Sequence, residues 1–140
     1  MGYVRHVEIT AALHAAVIDH AIAEIPYEGC GVLVGMPGVE RIDAWISCNN
    51  AAESAKTYEI DPRDLLMAHK NAEATGNEIV GVVHSHTHTP AYPSPTDVAL
   101  AHDPTWIYLV ISLENPEAVV ASFSIVDGSI YQDDLVVTSH

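Results

Sequence analysis

Positive charge is what this chain has least of: five Lys and Arg stand against nineteen Asp and Glu in 140 residues, a formal net charge of −14. So acidic a surface repels phosphate backbones and anionic lipid headgroups, which argues against nucleic acid and membrane surfaces as partners. Cysteine is scarce as well. Cys30 and Cys48 lack a metal-binding spacing and lie in apolar, strand-like surroundings. They read as two buried thiols, and a reducing cytoplasm fits them. No stretch reaches the roughly 18 consecutive apolar residues that a bilayer span needs, and "MGYVRHVEIT" lacks the apolar core of a signal peptide. Repeats, low-complexity tracts and compositional breaks are also missing, so one domain over residues 1–140 is expected. Apolar side chains, by contrast, make up 49% of the residues, enough to bury a core in a chain of this size.

Periodicity predicts the elements. A short strand near Val7–Ile9 precedes "TAALHAAVIDHAIAEI", where Leu13, Val17, Ala21 and Ile25 form one helical stripe with Thr10 as N-cap. "CGVLVG" reads as a strand turning at "MPG" into a hairpin partner, "VERIDAWIS". After a polar segment and a short strand, "YEI", the run "DPRD" opens a second helix with Asp61 at the N-cap and Pro62 at the first helical position, ending near Ala74. "EIVGVVHSH" carries branched apolar residues without alternation, as a strand covered on both faces does. A third helix begins at "SPTD". "WIYLVISL", "AVVASFSIV" and "SIYQDDLVV" close the chain as three strands, the last two joined by a tight turn at Asp127-Gly128. The expected fold class is α/β: a single compact domain with a mixed, mostly antiparallel sheet flanked by about three helices.

The chemistry concentrates in "HSHTHTPAYPSPTD", His84 to Asp97. Successive strand side chains point to opposite faces, so His84 and His86 emerge together and Ser85 faces away. Two converging imidazoles suit a metal, and a catalytic site takes a third protein ligand and leaves a position for water. Asp97 can supply that ligand if the proline-rich loop aims the next helix at the strand end. The same residues also satisfy a simpler need. Ser94-Pro95-Thr96-Asp97 is a capping signature, and paired histidines on a strand serve as surface or hydrogen-bonded core residues elsewhere. His88 falls on the same face by parity, with a substrate-facing role or plain surface exposure both open. Tyr92 could lie over a substrate channel or pack its own loop.

Together with Glu28 in "YEGCGVLVG", these residues resemble the signature of the JAMM (MPN-plus) metalloproteases, E…H-[ST]-H-x7-S-x2-D, with every position filled. The resemblance covers nearly the whole chain. It implies that His84, His86 and Asp97 hold one zinc ion with a bound water, that Glu28 is the general base, and that Ser94 donates to the developing oxyanion. Ser85 would face the interior and support the strand. At 140 residues there is no room for the long insertions of eukaryotic deubiquitinating members. "CGVLVG", "YLVIS" and "FSIVDGSI" are similar to the small bacterial branch, which implies cleavage after the C-terminal Gly-Gly of a ubiquitin-like, β-grasp sulfur-carrier protein with release of cysteine. A general isopeptidase of ubiquitin-like modifiers or small peptides, or a non-catalytic interaction module of the same fold, are the competing expectations. Docking of a carrier would have to use Arg5, Arg41, Lys56, Arg63 and Lys70, or an apolar patch. Both a monomer and a homodimer are compatible with the sequence.

Overall fold

The computed structural model describes residues 4–139. In chain order its elements are β1 (His6–Thr10), α1 (Ala11–Ala23), β2 (Cys30–Gly35), β3 (Arg41–Ile42), β4 (Ala44–Cys48), α2 (Pro62–Ala74), β5 (Glu78–His86), α3 (Pro95–Leu100), β6 (Ile107–Ser112), β7 (Val119–Val126), β8 (Ser129–Gln132) and β9 (Asp134–Thr138). Six strands form the main sheet in the order β4-β2-β5-β6-β7-β8, all neighbours antiparallel except β5 and β6. No helix among the described residues is long and apolar enough to cross a membrane.

The sequence-coded caps form as expected. Thr10 Oγ1 accepts from the Leu13 N–H at 3.2 Å, and Asp61 Oδ1 accepts from Arg63 N–H at 2.8 Å, each satisfying a donor that the first helical turn would otherwise orphan. Val17 and Ala21 are the buried residues of α1; Ile25 falls beyond the helix end and is 53% exposed, so the stripe is one turn shorter than its spacing suggests. α2 buries Ala68 and Ala72, small side chains that let the helix lie close to the sheet.

β5 is the central strand, and its alternation divides the core. Val82 packs with Cys30, Val32, Tyr108, Val110 and Phe123 on the α2 side, whereas Val83 packs with Leu33, Leu109, Ile111 and the α1 residues on the other. By the same period of two, His84 and His86 continue the Val82 face and Ser85 the Val83 face.

Three expectations are corrected. "VERIDAWIS" is not one hairpin strand: β4 pairs with β2, but β3 turns away to pair in parallel with β1. "SIYQDDLVV" divides at Asp133, whose carboxylate is buried against Arg5 Nη2 (2.9 Å), Ser122 Oγ (2.7 Å) and Ser124 Oγ (2.7 Å). Beyond that inward carboxylate the chain leaves the main sheet, and β9 joins β1 to complete a second, parallel sheet in the order β3-β1-β9. "YEI" forms no strand, only the isolated bridge from Asn50 to Ile60. The Asp127-Gly128 turn is as expected, with φ of 49° and 81° at its two residues, the positive pair that a type I′ hairpin requires.

Parallel β5–β6 pairing brings backbones so close at Gly81 that a Cβ there would collide with the Ile107 carbonyl. Gly81→Ala is therefore expected to destabilise the fold by about 3 kcal/mol or more, measured as a lowered denaturation midpoint; an unchanged midpoint would show that the strands can part at no cost.

Candidate metal centre

β2 and β5 run antiparallel with Cys30 opposite His84, which sets the residues just before Cys30 beside the last residues of β5. Two hydrogen bonds fix that alignment: Gly29 N–H donates to Ser85 Oγ at 2.7 Å, and Ser85 N–H donates to the Gly29 carbonyl at 3.0 Å. Ser85, on the face opposite the histidines, thus ties down the peptide that carries Glu28. Glu28 itself is buried, 3% exposed.

His84, His86 and Asp97 meet at the strand end. His84 Nε2 and His86 Nε2 are 3.2 Å apart, and each is 3.0 Å from Asp97 Oδ2. All three residues are buried. Glu28, His84 and His86 also offer ligand atoms within 4.8 Å of one another. Asp97 reaches the imidazoles because α3 starts where it does. Ser94 Oγ accepts from Asp97 N–H at 3.1 Å while Asp97 Oδ2 accepts from Ser94 N–H at 2.8 Å, a closed capping box. Capping and convergence, posed in the sequence as alternatives, are satisfied by the same carboxylate.

The donor set fits a divalent cation. His86 Nδ1 lies 2.9 Å from the Pro90 carbonyl, which can only accept, so Nδ1 carries a proton; without a cation Nε2 carries one too and bonds Asp97, and loss of that Nε2 proton would give a neutral ring with a lone pair aimed at the same point. His86 Nε2, His84 Nε2 and a carboxylate oxygen of Asp97 stand 3.0–3.2 Å from one another. Ligands about 2.0–2.1 Å from a tetrahedral ion stand about 3.3–3.4 Å apart, close to the observed spacings. Glu28 Oε1 is buried without a hydrogen-bond partner, an expensive arrangement unless something in the centre engages it.

Electrostatics separate the four groups. Burial, with Asp97 adding repulsion and His86 opposing it, pushes Glu28 up to about 7. Burial also acts to raise Asp97, but the hydrogen bonds from both imidazoles outweigh it and hold this carboxyl well below the usual carboxylate range. Burial lowers His84. His86 is also penalised by burial but is raised overall by its bonds to Asp97 and Pro90. The two buried acids are thus set apart, one kept ionised by its partners and the other raised toward neutrality by burial, an arrangement that could serve cation binding and proton exchange.

Around the centre, Tyr58 stacks on His84 with ring centroids 4.4 Å apart. No spacing or motif marks Tyr58, nor buried Asn50, whose amide donates to the Glu28 carbonyl at 3.0 Å. His88 is not brought to the cluster; it is exposed, with Nδ1 2.8 Å from Thr87 Oγ1. Tyr92 is 54% exposed and meets Phe123 edge-on at 5.5 Å. Of the basic residues that would face a docked carrier, Arg5 is already engaged. It is spent on the carbonyls of Thr105, Trp106 and Phe123 and on Asp133.

A family profile described as prokaryotic homologs of the JAB domain matches residues 10–126. The CysO-cysteine peptidase of Mycobacterium tuberculosis is 36% identical over 137 residues, 97% of this chain and 94% of its own. A desampylase of Haloferax volcanii is 35% identical over 95 residues, 67% of this chain and 68% of its own. Among solved structures, a protein of Desulfitobacterium hafniense superimposes with a TM-score of 0.87 at 31% identity, covering 96% of this chain and 94% of that one.

Because Glu28 has its carboxyl pKa raised from 4.5 to about 7, the fold loses stability as pH rises between those values, and none of that loss remains below the lower one. In metal-free protein, Glu28→Gln should accordingly raise unfolding free energy at pH 8 by on the order of 1–3 kcal/mol. Denaturant titrations should show the gap closing toward pH 4.5; a gap that persists there would refute the assignment of the buried acid.

Proposed function

We propose, from the premise that this chain belongs to the prokaryotic JAB-domain family, that it is a zinc-dependent amide hydrolase acting after the C-terminal Gly-Gly of a ubiquitin-like sulfur-carrier protein and releasing cysteine. The observation that carries the reading is the convergence of His84, His86 and Asp97 on one point beside a buried, unpartnered Glu28 oxygen. Support for the substrate comes from the CysO-cysteine peptidase that matches nearly the full length. In this reading residues 1–140 act as one catalytic domain. Cytoplasmic residence suits the two cysteines, which are free and buried on neighbouring strands.

His84, His86 and Asp97 hold the zinc ion, which when bound supplies Lewis acidity toward water and the scissile carbonyl. The chain's own groups handle the protons. Glu28 takes a proton from the attacking water as the new carbon–oxygen bond forms. It then gives that proton to the leaving amine nitrogen as the carbon–nitrogen bond breaks, so the acid ends as it began. Ser94 Oγ accepts from the Asp97 N–H, which leaves its own O–H to donate to the carbonyl oxygen as negative charge collects there.

A second reading, removal of ubiquitin-like modifiers from lysine side chains, is favoured by the similarity to a desampylase. The two differ only in the leaving amine.

Mass spectrometry separates these readings. Zinc-loaded protein incubated with a carrier bearing C-terminal cysteine should release carrier lighter by one cysteine, and Glu28→Gln should not. Faster cleavage of a lysine-linked conjugate would transfer the assignment to the second reading, and unchanged mass of both would end the hydrolase proposal. Ser94→Ala should lower kcat by about 10²–10³-fold and unfolding free energy by about 1 kcal/mol through loss of the cap. Kinetics and denaturation of the same variant test the two roles separately; full retention of kcat would remove Ser94 from the chemistry.

A further inference from the structure

Glu28 occupies an irregular connection between α1 and β2, and no described residue hydrogen-bonds its carboxylate. Its aim must therefore come from its main chain. Both polar groups of that main chain end on the segment between β4 and α2. The Glu28 N–H donates to the Ser54 carbonyl at 2.8 Å, and the Glu28 carbonyl accepts from Asn50 Nδ2 at 3.0 Å.

Asn50 is also what folds that segment. It is 8% exposed. Its Nδ2 further donates to the carbonyls of Thr57 (3.0 Å) and Ser54 (3.4 Å), while Oδ1 accepts from the N–H groups of Ala52 and Glu59, each at 3.0 Å. One amide thus gathers a strandless stretch of polar residues into a fixed loop. The loop touches the other half of the centre as well, since the Ala55 carbonyl accepts from Thr87 Oγ1 at 3.3 Å and Tyr58 stacks on His84.

We propose that Asn50 is a positioning residue: its side-chain amide closes residues 50–60 onto Glu28 and holds the Glu28 main chain so that the carboxylate faces the His84–His86–Asp97 cluster. The inference rests on Glu28 as the proton-transfer group. Misplacement of a reacting group by about 1 Å costs on the order of 10²-fold in rate, so loss of this clamp should be felt in turnover and not in metal binding, whose ligands lie on β5 and α3.

The test compares wild type and Asn50→Ala in two ways. In metal-free protein, hydrogen exchange by NMR should show the amides of Glu28, Ala52 and Glu59 exchanging at least about 10-fold faster, with Val32 and Val83 unchanged. With a conjugate of the ubiquitin-like carrier bearing C-terminal cysteine as substrate, kcat should fall by about 10–100-fold while KM and the zinc bound per chain stay as in wild type. In a Glu28→Gln background the same substitution should cost nothing further, because the group it positions is already gone. Unchanged exchange at Glu28, unchanged kcat, or a further loss in the Glu28→Gln background would each overturn the inference. Should Asn50→Ala fail to fold, Asn50→Gln keeps both polar ends one methylene further out, and the same three comparisons apply. If wild-type protein leaves the conjugate intact, the functional reading falls, while exchange at the Glu28 amide still decides whether Asn50 holds it.

Discussion

The antiparallel register of β2 against β5, locked by the reciprocal bonds between Gly29 and Ser85, is the constraint on which the rest of the molecule depends. A slip of one residue would turn both imidazoles to the α1 face and bring Ser85 to the α2 face. The lock uses side chain on one partner and main chain on both, so the strand that offers the histidines also fixes the peptide after Glu28. Glu28 is thereby brought from a distant stretch of the chain to the point where β5 and α3 deliver their groups. Ser85 never faces the reacting atoms, yet its hydroxyl sets where the acid stands.

Burying two carboxyls and two imidazoles together is unfavourable unless they are paired. Here the pairing is internal and unequal. Asp97 gains two imidazole bonds and the Ser94 N–H, enough to remain ionised despite burial. Glu28 gains no hydrogen bond at its carboxylate, and burial decides its behaviour. The order of these environments, and not the residue types alone, sets the two carboxyls apart: partners keep one ionised, and burial raises the other toward neutrality. With a net charge of −14 over the chain, a cation at this point also relieves repulsion that the surrounding acidic surface only increases.

Much of this was legible in the sequence because it is written in local rules. Caps at Thr10, Asp61 and Ser94, the alternation that pairs His84 with His86, and the positive-φ turn at Asp127-Gly128 each depend on neighbours within a few residues. What escaped was non-local. The second sheet exists because Arg5 and two serines of β7 bury Asp133, a partnership spanning more than a hundred residues on one side. Tyr58 and Asn50 sit in a polar stretch with no periodicity, and their partners, His84 and Glu28, are identified only once the segment has folded over the sheet end. Sequence spacing shows which side chains share a face of a regular element; it does not mark the residues that hold an irregular connection in place.

The capping box shows why folding and chemistry cannot be separated at this centre. Asp97 Oδ2 closes the first turn of α3 and is the same atom that stands 3.0 Å from both imidazole nitrogens. Ser94 Oγ ends that turn's orphan donor and keeps its own proton available. A helix of six residues, Pro95–Leu100, has little stability of its own, so the capping box contributes a large share of what orients it. Because one oxygen serves both the cap and the cluster, any shift of the first turn of α3 moves the carboxylate away from the imidazoles with it. The loop of prolines before Ser94 limits how far the turn can relax, which keeps the carboxylate aimed at the strand end throughout.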